Sequence, residues 1–311
     1  MLESVDPAVV GLSKERLTHI TSWLEAQVGD GKLAGASALI ARRGKVAYLQ
    51  SAGFADRENG KLMDADTIVR IYSMSKSVTT VAAMMLYEQG CFQLDDPVAK
   101  YLPEFAETPV WDGGDAPITA VSAQQAPMQV KHLMNHTSGL TYGFMSTTPV
   151  DAQYRDREIE FQSRSESLAD IVTRLARIPL LCQPGTQWNY SVATDVLGRL
   201  VEVWSGMSLA AFFQQRIFAP LGMTDTGFSV PEQGQDRFAA LYAPAVGGDM
   251  STVGSASATV PQDQRGGLKL MEGSSQSVYF TEPLSHSGGG GLVGTIGDYA
   301  RFCQMLVNLG E

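Results

Sequence analysis

Ser73 and Lys76 stand three residues apart in Ser73-Met74-Ser75-Lys76, at the point where the sequence takes on helical periodicity. Positions i and i+3 share a helix face, so the Ser73 hydroxyl and the Lys76 amine come within reach of each other. A serine hydroxyl is a weak nucleophile until a base takes its proton, and a lysine can be that base when burial or nearby positive charge favours its neutral form. The start of a helix also offers unpaired N–H groups that favour a developing anion. The chemistry open to this pair is acyl transfer through a covalent serine intermediate. Chance alone yields about one such spacing in a chain this rich in serine, so the pair counts only with its surroundings.

Those surroundings include Trp188-Asn189-Tyr190-Ser191-Val192, which follows Pro184-Gly185 and opens the next strong helix. A phenol beside a Ser/Lys pair can relay the proton, whereas a tyrosine without such a pair is an ordinary packing residue. Other candidates are weaker. His132 and His136 are four apart, but Leu133 stands where a zincin H-E-x-x-H has Glu, and no third ligand is evident, so both are expected to be structural and no metal is expected. Ser73, Asp195 and His286 follow the chain order of an α/β-hydrolase triad, yet the chain has no G-x-S-x-G, and the nearest miss, Gly139-Leu140-Thr141-Tyr142-Gly143, centres on Thr. The triad is therefore the lesser reading. Glycines 288–291 lack the strand before and the Lys after that a phosphate loop needs, and they read as backbone passing close beneath a ligand.

The elements that must position these groups are readable in part. Ser13 is a good cap, with Leu17, Ile20, Leu24 and Val28 following at helical spacing up to the Gly29-Asp30-Gly31 break. Residues 36–42 and 45–53 read as two strands joined through Arg43-Gly44, the one clear hairpin. A helix starts near Ser73, with Met74, Val78, Val81, Ala82 and Met85 as its stripe, and ends at Gly90. Further helices are expected over 191–204 and 208–219. A last helix begins at Thr295, with Asp298 completing a capping box and Ile296, Tyr299, Ala300, Cys303 and Val307 as its apolar stripe. The connections 103–128 and 227–283 are long and polar, of the kind that form lids. One hairpin is too little sheet to stand alone, so the sheet looks unfinished at Glu311.

The 311 residues, 44% hydrophobic and 18% charged, suit a globular protein. A formal charge of −10 argues against a nucleic-acid partner. Cys91, Cys182 and Cys303 have no metal-like spacing and are expected to be small core residues. The N-terminal residues lack the regions of a signal peptide and no run suits a membrane helix, so the expectation is a cytoplasmic protein without membrane association.

Taken in order along most of the chain, Ser73-Met74-Ser75-Lys76, His132-Leu133-Met134-Asn135-His136-Thr137-Ser138-Gly139-Leu140, Pro184-Gly185 leading to Tyr190-Ser191-Val192, and Ser287-Gly288-Gly289-Gly290-Gly291-Leu292 resemble the serine β-lactamase and penicillin-binding superfamily, and most closely its family VIII carboxylesterases. The resemblance implies an α/β plus α fold, an antiparallel sheet flanked by helices with a mainly helical second subdomain. The expected segments are 1–60 (helix and hairpin of the α/β part), 61–294 (helical subdomain) and 295–311 (helix returning to the α/β part). It implies a nucleophile at Ser73, a general base at Lys76 and a proton-relaying phenol at Tyr190, with Ser191, Val192, Gly289, Gly290 and Gly291 beside the substrate. No cofactor is implied, and the partner is a small-molecule ester. The expected activity is hydrolysis of short-chain acyl esters through an acyl-enzyme. β-Lactamase, D-amino-acid peptidase and acyltransferase activities share the same residues, and outside catalysis stands a binding or scaffold protein that kept the fold.

Two departures shape this expectation. Val192 stands where class C β-lactamases carry an amide, which moves the reading toward esters. No Lys-Thr-Gly or Trp-Gly-Gly follows the glycine-rich block, and in the family that element supplies the second oxyanion N–H. With the unfinished sheet, this leads to the expectation that the chain is a C-terminally truncated form of a longer enzyme.

Overall fold

The computed structural model describes residues 2–245 and 267–310. Its elements begin with α1 (Lys14–Gly29), β1 (Gly35–Arg42), β2 (Lys45–Asp56), β3 (Lys61–Leu62), β4 (Val69–Arg70) and α2 (Ser75–Glu88). Next come β5 (Val110–Trp111), β6 (Val121–Ser122), α3 (Val130–Met134), α4 (Pro149–Asp156), α5 (Leu168–Leu175) and α6 (Ala193–Ser205). The chain continues through α7 (Leu209–Phe213), α8 (Ala219–Leu221), β7 (Leu241–Pro244), β8 (Leu268–Glu272), β9 (Val293–Gly294) and α9 (Ile296–Val307). Contacts divide it into two units, Met1–Arg70 with Phe218–Thr281 and Val293–Glu311, and Ile71–Ile217 with Glu282–Leu292. The described residues of 218–281 thus fold with the N-terminal segment, whereas the sequence-based segment 61–294 placed them in the helical part.

The first unit holds an antiparallel sheet in the order β1-β2-β3. Its main hairpin turns at Arg43 (φ 54°) and Gly44 (φ 73°), both left-handed, which is the geometry that matches the twist of the flanking strands. Ser13 caps α1, its Oγ accepting from the Arg16 N–H at 3.2 Å, and buried Leu17 and Leu24 mark the face the helix turns inward. α1 packs on β1 and β2, and α9 packs on β1. Gly53 is fixed by space as well as by its φ of 76°, because a Cβ there would stand 2.4 Å from the Ala34 carbonyl oxygen.

The sheet is larger than the hairpin read from sequence. β3 and a Ser4–Val46 bridge extend β2, and β4–β9 and β7–β8 form separate antiparallel pairs. Among the described residues, the outer edge of β1 has no strand partner. β7 and β8 fall within the 227–283 connection expected to be a polar loop, of which residues 246–266 lie outside the described residues. That connection also supplies core, since Val230, Phe238 and Tyr279 pack with Ile68 and Val293.

At α9 the cap is half of the expected box. Thr295 Oγ1 accepts from the Asp298 N–H at 3.2 Å, but the Asp298 carboxylate accepts from the Asp225 N–H at 2.8 Å and the Thr226 hydroxyl at 3.0 Å. The buried residues of α9 are Gly297, Asp298 and Phe302, while Cys303 and Val307 are exposed. This corrects both the apolar stripe and the placement of all three cysteines in the core; Cys182 is buried and Cys91 is half-buried.

In the second unit, α2 packs on α6, and α3, α5 and α7 also pack on α6. The α6 stripe of Ala193, Leu197, Leu200 and Val201 is buried as its spacing requires, and Trp204 stacks on Phe92 with ring centroids 3.9 Å apart. α2 differs from expectation by a rotation. Ser75, Val78, Thr79, Ala82, Ala83 and Leu86 face inward, and Met74 is exposed. The helix expected over 208–219 breaks into α7, a π-turn at Gln214–Phe218 and α8. Pro220 accounts for the break, since it lacks an N–H and its ring crowds the carbonyl four residues back. The 103–128 connection carries a 3-10 turn at Pro103–Phe105 and part of its length in the β5–β6 pair. No single helix among the described residues is long and apolar enough to cross a membrane.

Candidate active site

Ser73 lies in a 3-10 turn, Tyr72–Met74, directly ahead of α2 rather than inside its first turn. The turn begins with Tyr72 at φ 42°, a left-handed conformation that costs a non-glycine residue about 1 kcal/mol. Bonds to one residue hold the segment on both sides: the Ile71 N–H donates to the Leu292 carbonyl at 3.0 Å, and the Leu292 N–H donates to the buried Ser75 Oγ at 3.1 Å. Ser73 itself is exposed.

Three side chains converge there. Ser73 Oγ and the Tyr190 hydroxyl are 2.6 Å apart, and Lys76 Nζ donates toward Ser73 Oγ at 3.4 Å. The first distance is that of a short O–H···O bond, and the second is a longer, weaker contact. Lys76 Nζ also donates to the Gly289 carbonyl at 2.6 Å and to the Tyr142 hydroxyl at 3.2 Å, and it lies 4.7 Å from the centre of the Tyr190 ring. The ammonium is therefore aimed by two anchors besides the serine, and its charge sits on the face of the phenol that touches Ser73.

Tyr190 is placed by its neighbours. The Asn189 N–H donates to the His136 carbonyl at 2.8 Å and its side-chain amide to the Leu140 carbonyl at 2.9 Å, which fixes the backbone beside the phenol. The Tyr190 ring is flanked by His136 (4.9 Å between centroids) and Tyr142 (5.4 Å). Burial, and then the Lys76 charge, push the His136 imidazole down to about 4, so near neutral pH it is an uncharged wall, with Nδ1 3.2 Å from Ser191 Oγ. Burial, and then the electrostatic influence of Asp195 and Tyr190, hold the Tyr142 phenol far above the usual tyrosine range and keep it protonated.

The glycine-rich block serves the site through its backbone. A Cβ on Gly289 would lie 2.4 Å from Asp195 Oδ2, and one on Gly288 would lie 2.9 Å from the Thr194 carbonyl, so these glycines let the turn they form press against α6 and α2. Thr79 donates to the Gly288 carbonyl at 2.7 Å. The close approach is to the protein's own helices. Gly290 has open space, its nearest neighbour being 3.9 Å from a Cβ, and the Gly291 carbonyl accepts from Gln162 at 2.9 Å. Ser191 and Val192 are buried, the Ser191 hydroxyl turned to His136 and the Val192 N–H donating to the Thr141 carbonyl at 3.2 Å.

The alternative constellations do not form. Asp195 Oδ1 accepts from the Ser287 hydroxyl (2.6 Å) and the Gly289 N–H (2.9 Å), while His286 Nε2 pairs with Glu282 at 3.0 Å, so Ser73, Asp195 and His286 do not make a triad. His132 Nδ1 accepts from the Gln129 N–H at 3.2 Å and its ring packs against Gly185. Among the described residues no group of three or more His, Cys, Asp or Glu could hold a metal ion. Sequence reasoning passed over Tyr142, met only as a neighbour of a failed G-x-S-x-G, and saw Asp195 only as a triad member. The one available signal was that both sit in blocks adjoining the motif residues.

The sequence matches the Beta-lactamase family over residues 20–311. Esterase EstB of Burkholderia gladioli is 32% identical over 312 residues, covering 97% of this chain and 73% of that protein. An uncharacterized protein of Mycobacterium tuberculosis is 32% identical over 90% of this chain, which spans 64% of that relative's length. Among solved structures, EstCE1, described as a hydrolase with promiscuous acyltransferase activity, superimposes with a TM-score of 0.71 at 30% identity, covering 96% of this chain and 74% of that one. With the Ser73, Lys76 and Tyr190 cluster and this agreement in sequence and fold, the chain belongs to the Beta-lactamase family, on the side of its family VIII esterases.

Proposed function

We propose that the protein is a serine carboxylesterase that hydrolyses short-chain acyl esters through an acyl-enzyme on Ser73. The observation that carries this is the 2.6 Å contact between Ser73 Oγ and the Tyr190 hydroxyl, with Lys76 Nζ 3.4 Å from the same oxygen. In acylation Ser73 Oγ bonds to the ester carbonyl carbon, the Ser73 proton passes into the Tyr190/Lys76 pair, and the pair returns it to the departing alkoxide as the C–O bond breaks. In deacylation the pair takes a proton from water, the hydroxide oxygen bonds to the acyl carbon, and the proton goes back to Ser73 Oγ as the acid leaves. The distances favour Tyr190 as the group in direct contact with the Ser73 proton, with the Lys76 charge stabilising phenolate character. This exchanges the emphasis of the sequence reading, in which Lys76 is the base and Tyr190 the relay.

A second reading, acyl transfer to an alcohol in place of water, draws support from the description of EstCE1, which covers nearly the whole chain. Hydrolysis of p-nitrophenyl butyrate by the native enzyme and by Ser73→Ala tests the first reading, since loss of turnover in the variant is expected and full retention would overturn it. Adding a short alcohol to the same assay separates the two, because transfer yields the new ester at the expense of free acid.

A further inference from the structure

Asp195 lies in the first turn of α6, five residues beyond Tyr190, and is buried at 2% exposure. Its Oδ1 accepts two hydrogen bonds, from the Ser287 hydroxyl at 2.6 Å and from the Gly289 N–H at 2.9 Å. The same Gly289 peptide segment presents its carbonyl to Lys76 Nζ at 2.6 Å, the shortest contact the ammonium makes with the site. Ser287 Oγ in turn accepts from the Gly290 N–H at 3.1 Å, so the carboxylate, the hydroxyl and two successive backbone N–H groups form one closed network. Gly289 has no room to move toward α6, because a Cβ there would already overlap the carboxylate.

We propose that Asp195 is a positioning residue for acyl transfer: by holding the Gly289 N–H it sets where the Gly289 carbonyl points, and through that carbonyl it aims the Lys76 ammonium at Ser73 and Tyr190. Asp195 touches neither the serine nor the tyrosine; its action runs through one residue of backbone. A buried carboxyl is expensive, and its hydrogen bonds offset that expense only if they are kept, which makes the network rigid. Rigidity is what the 3.4 Å approach of Lys76 to Ser73 calls for, and the Gly289 carbonyl is the nearest of the groups that hold the amine. Displacement of a catalytic group by about 1 Å can cost 10²-fold in rate.

The role requires an acceptor at Oδ1 and not a negative charge. Asp195→Asn keeps a carbonyl-type oxygen in that place, and Asp195→Ala removes it. The inference rests on the acyl-enzyme reading of Ser73, so Ser73→Ala is run beside both variants in the full native protein. Each variant is assayed for kcat and KM on p-nitrophenyl butyrate, with the fraction of competent Ser73 counted by fluorophosphonate labelling and the melting temperature recorded. The expected result is that Asp195→Ala lowers kcat per labelled site by about 10²-fold with little change in KM, and that Asp195→Asn recovers to within about tenfold of the native rate. Equal losses in Asn and Ala variants would show that charge rather than positioning is at work and overturn the proposal, as would a native kcat per labelled site in Asp195→Ala. If Asp195→Ala does not fold, Ser287→Ala, which removes one of the two bonds to Oδ1, is read the same way and is expected to lower kcat per labelled site; no change there overturns the proposal. Activity that survives Ser73→Ala would instead sink the reading of the nucleophile and leave the Asp195 geometry untouched.

Discussion

Ser73 Oγ and the Tyr190 hydroxyl meet at 2.6 Å across 117 residues of sequence, whereas Lys76, three residues from the serine, holds its Nζ at 3.4 Å. The proximity in sequence is therefore not the closest proximity in space. Tyr190→Phe keeps the ring between His136 and Tyr142 and removes only the oxygen that touches Ser73. Its kcat on p-nitrophenyl butyrate is expected to fall by about 10²–10⁴-fold, the usual contribution of a positioned acid or base, with the melting temperature nearly unchanged. A fall of less than tenfold would place the proton elsewhere.

His286 pairs with Glu282 and is not joined to Asp195, whose Oδ1 is taken by Ser287 and Gly289. His286→Ala is expected to retain activity to within about tenfold, far from the several orders of magnitude that loss of a triad member costs. Steady-state kinetics on the same ester distinguish the two outcomes.

How far the sequence reveals this site depends on how local each contact is. The Ser13 cap, the Arg43-Gly44 turn and the i, i+3 pair of Ser73 and Lys76 involve neighbours along the chain, and residue type and spacing are enough to expose them. The two-residue strands β3, β4 and β9 are too short to show a period, and β4–β9 joins residues more than two hundred positions apart. Tyr142 and the Asp195–Gly289 bond are likewise made by packing of α6 and the glycine-rich segment, not by any local pattern. The rotation of the α2 stripe toward Ser75 and Thr79 has the same origin, because both hydroxyls bond the backbone of residues 288–292.

The glycines 288–291 are not equivalent. Gly289→Ala puts a methyl against the buried Asp195 carboxylate, and the overlap should cost about 1–3 kcal/mol of stability and loosen the Lys76 anchor. Gly290→Ala finds space at 3.9 Å and is expected to be nearly neutral for folding. Chemical denaturation of both variants checks the contrast, and equal destabilisation would contradict it.

Ser75 is the other serine of the motif, and its buried Oγ accepts the Leu292 N–H at 3.1 Å. Ser75→Ala leaves that N–H without its partner, which should cost about 1–3 kcal/mol in denaturation while the rate per labelled Ser73 stays close to native. An equal loss of rate and of stability in the labelled fraction would mean that Ser75 takes part in the chemistry.

His136 makes stability depend on pH. Its ordinary pKa of 6.5 is depressed to about 4 in the folded protein, first by burial and then by Lys76. The unfolded chain therefore binds the proton more readily than the folded one, so this contribution is fully present above 6.5 and is lost as pH falls from 6.5 toward about 4. Denaturation midpoints measured across that window are expected to fall less steeply in His136→Gln than in the native protein, and parallel slopes would contradict the assignment.

The most direct test of the account is to quench the native enzyme with acid during turnover of p-nitrophenyl butyrate and to map the covalent adduct by peptide mass spectrometry. The account predicts a butyryl group on the Ser73 hydroxyl, accumulating when deacylation is slowed and absent in Ser73→Ala. Continued turnover with no acyl group on Ser73, or an acyl group on a different side chain, would contradict it.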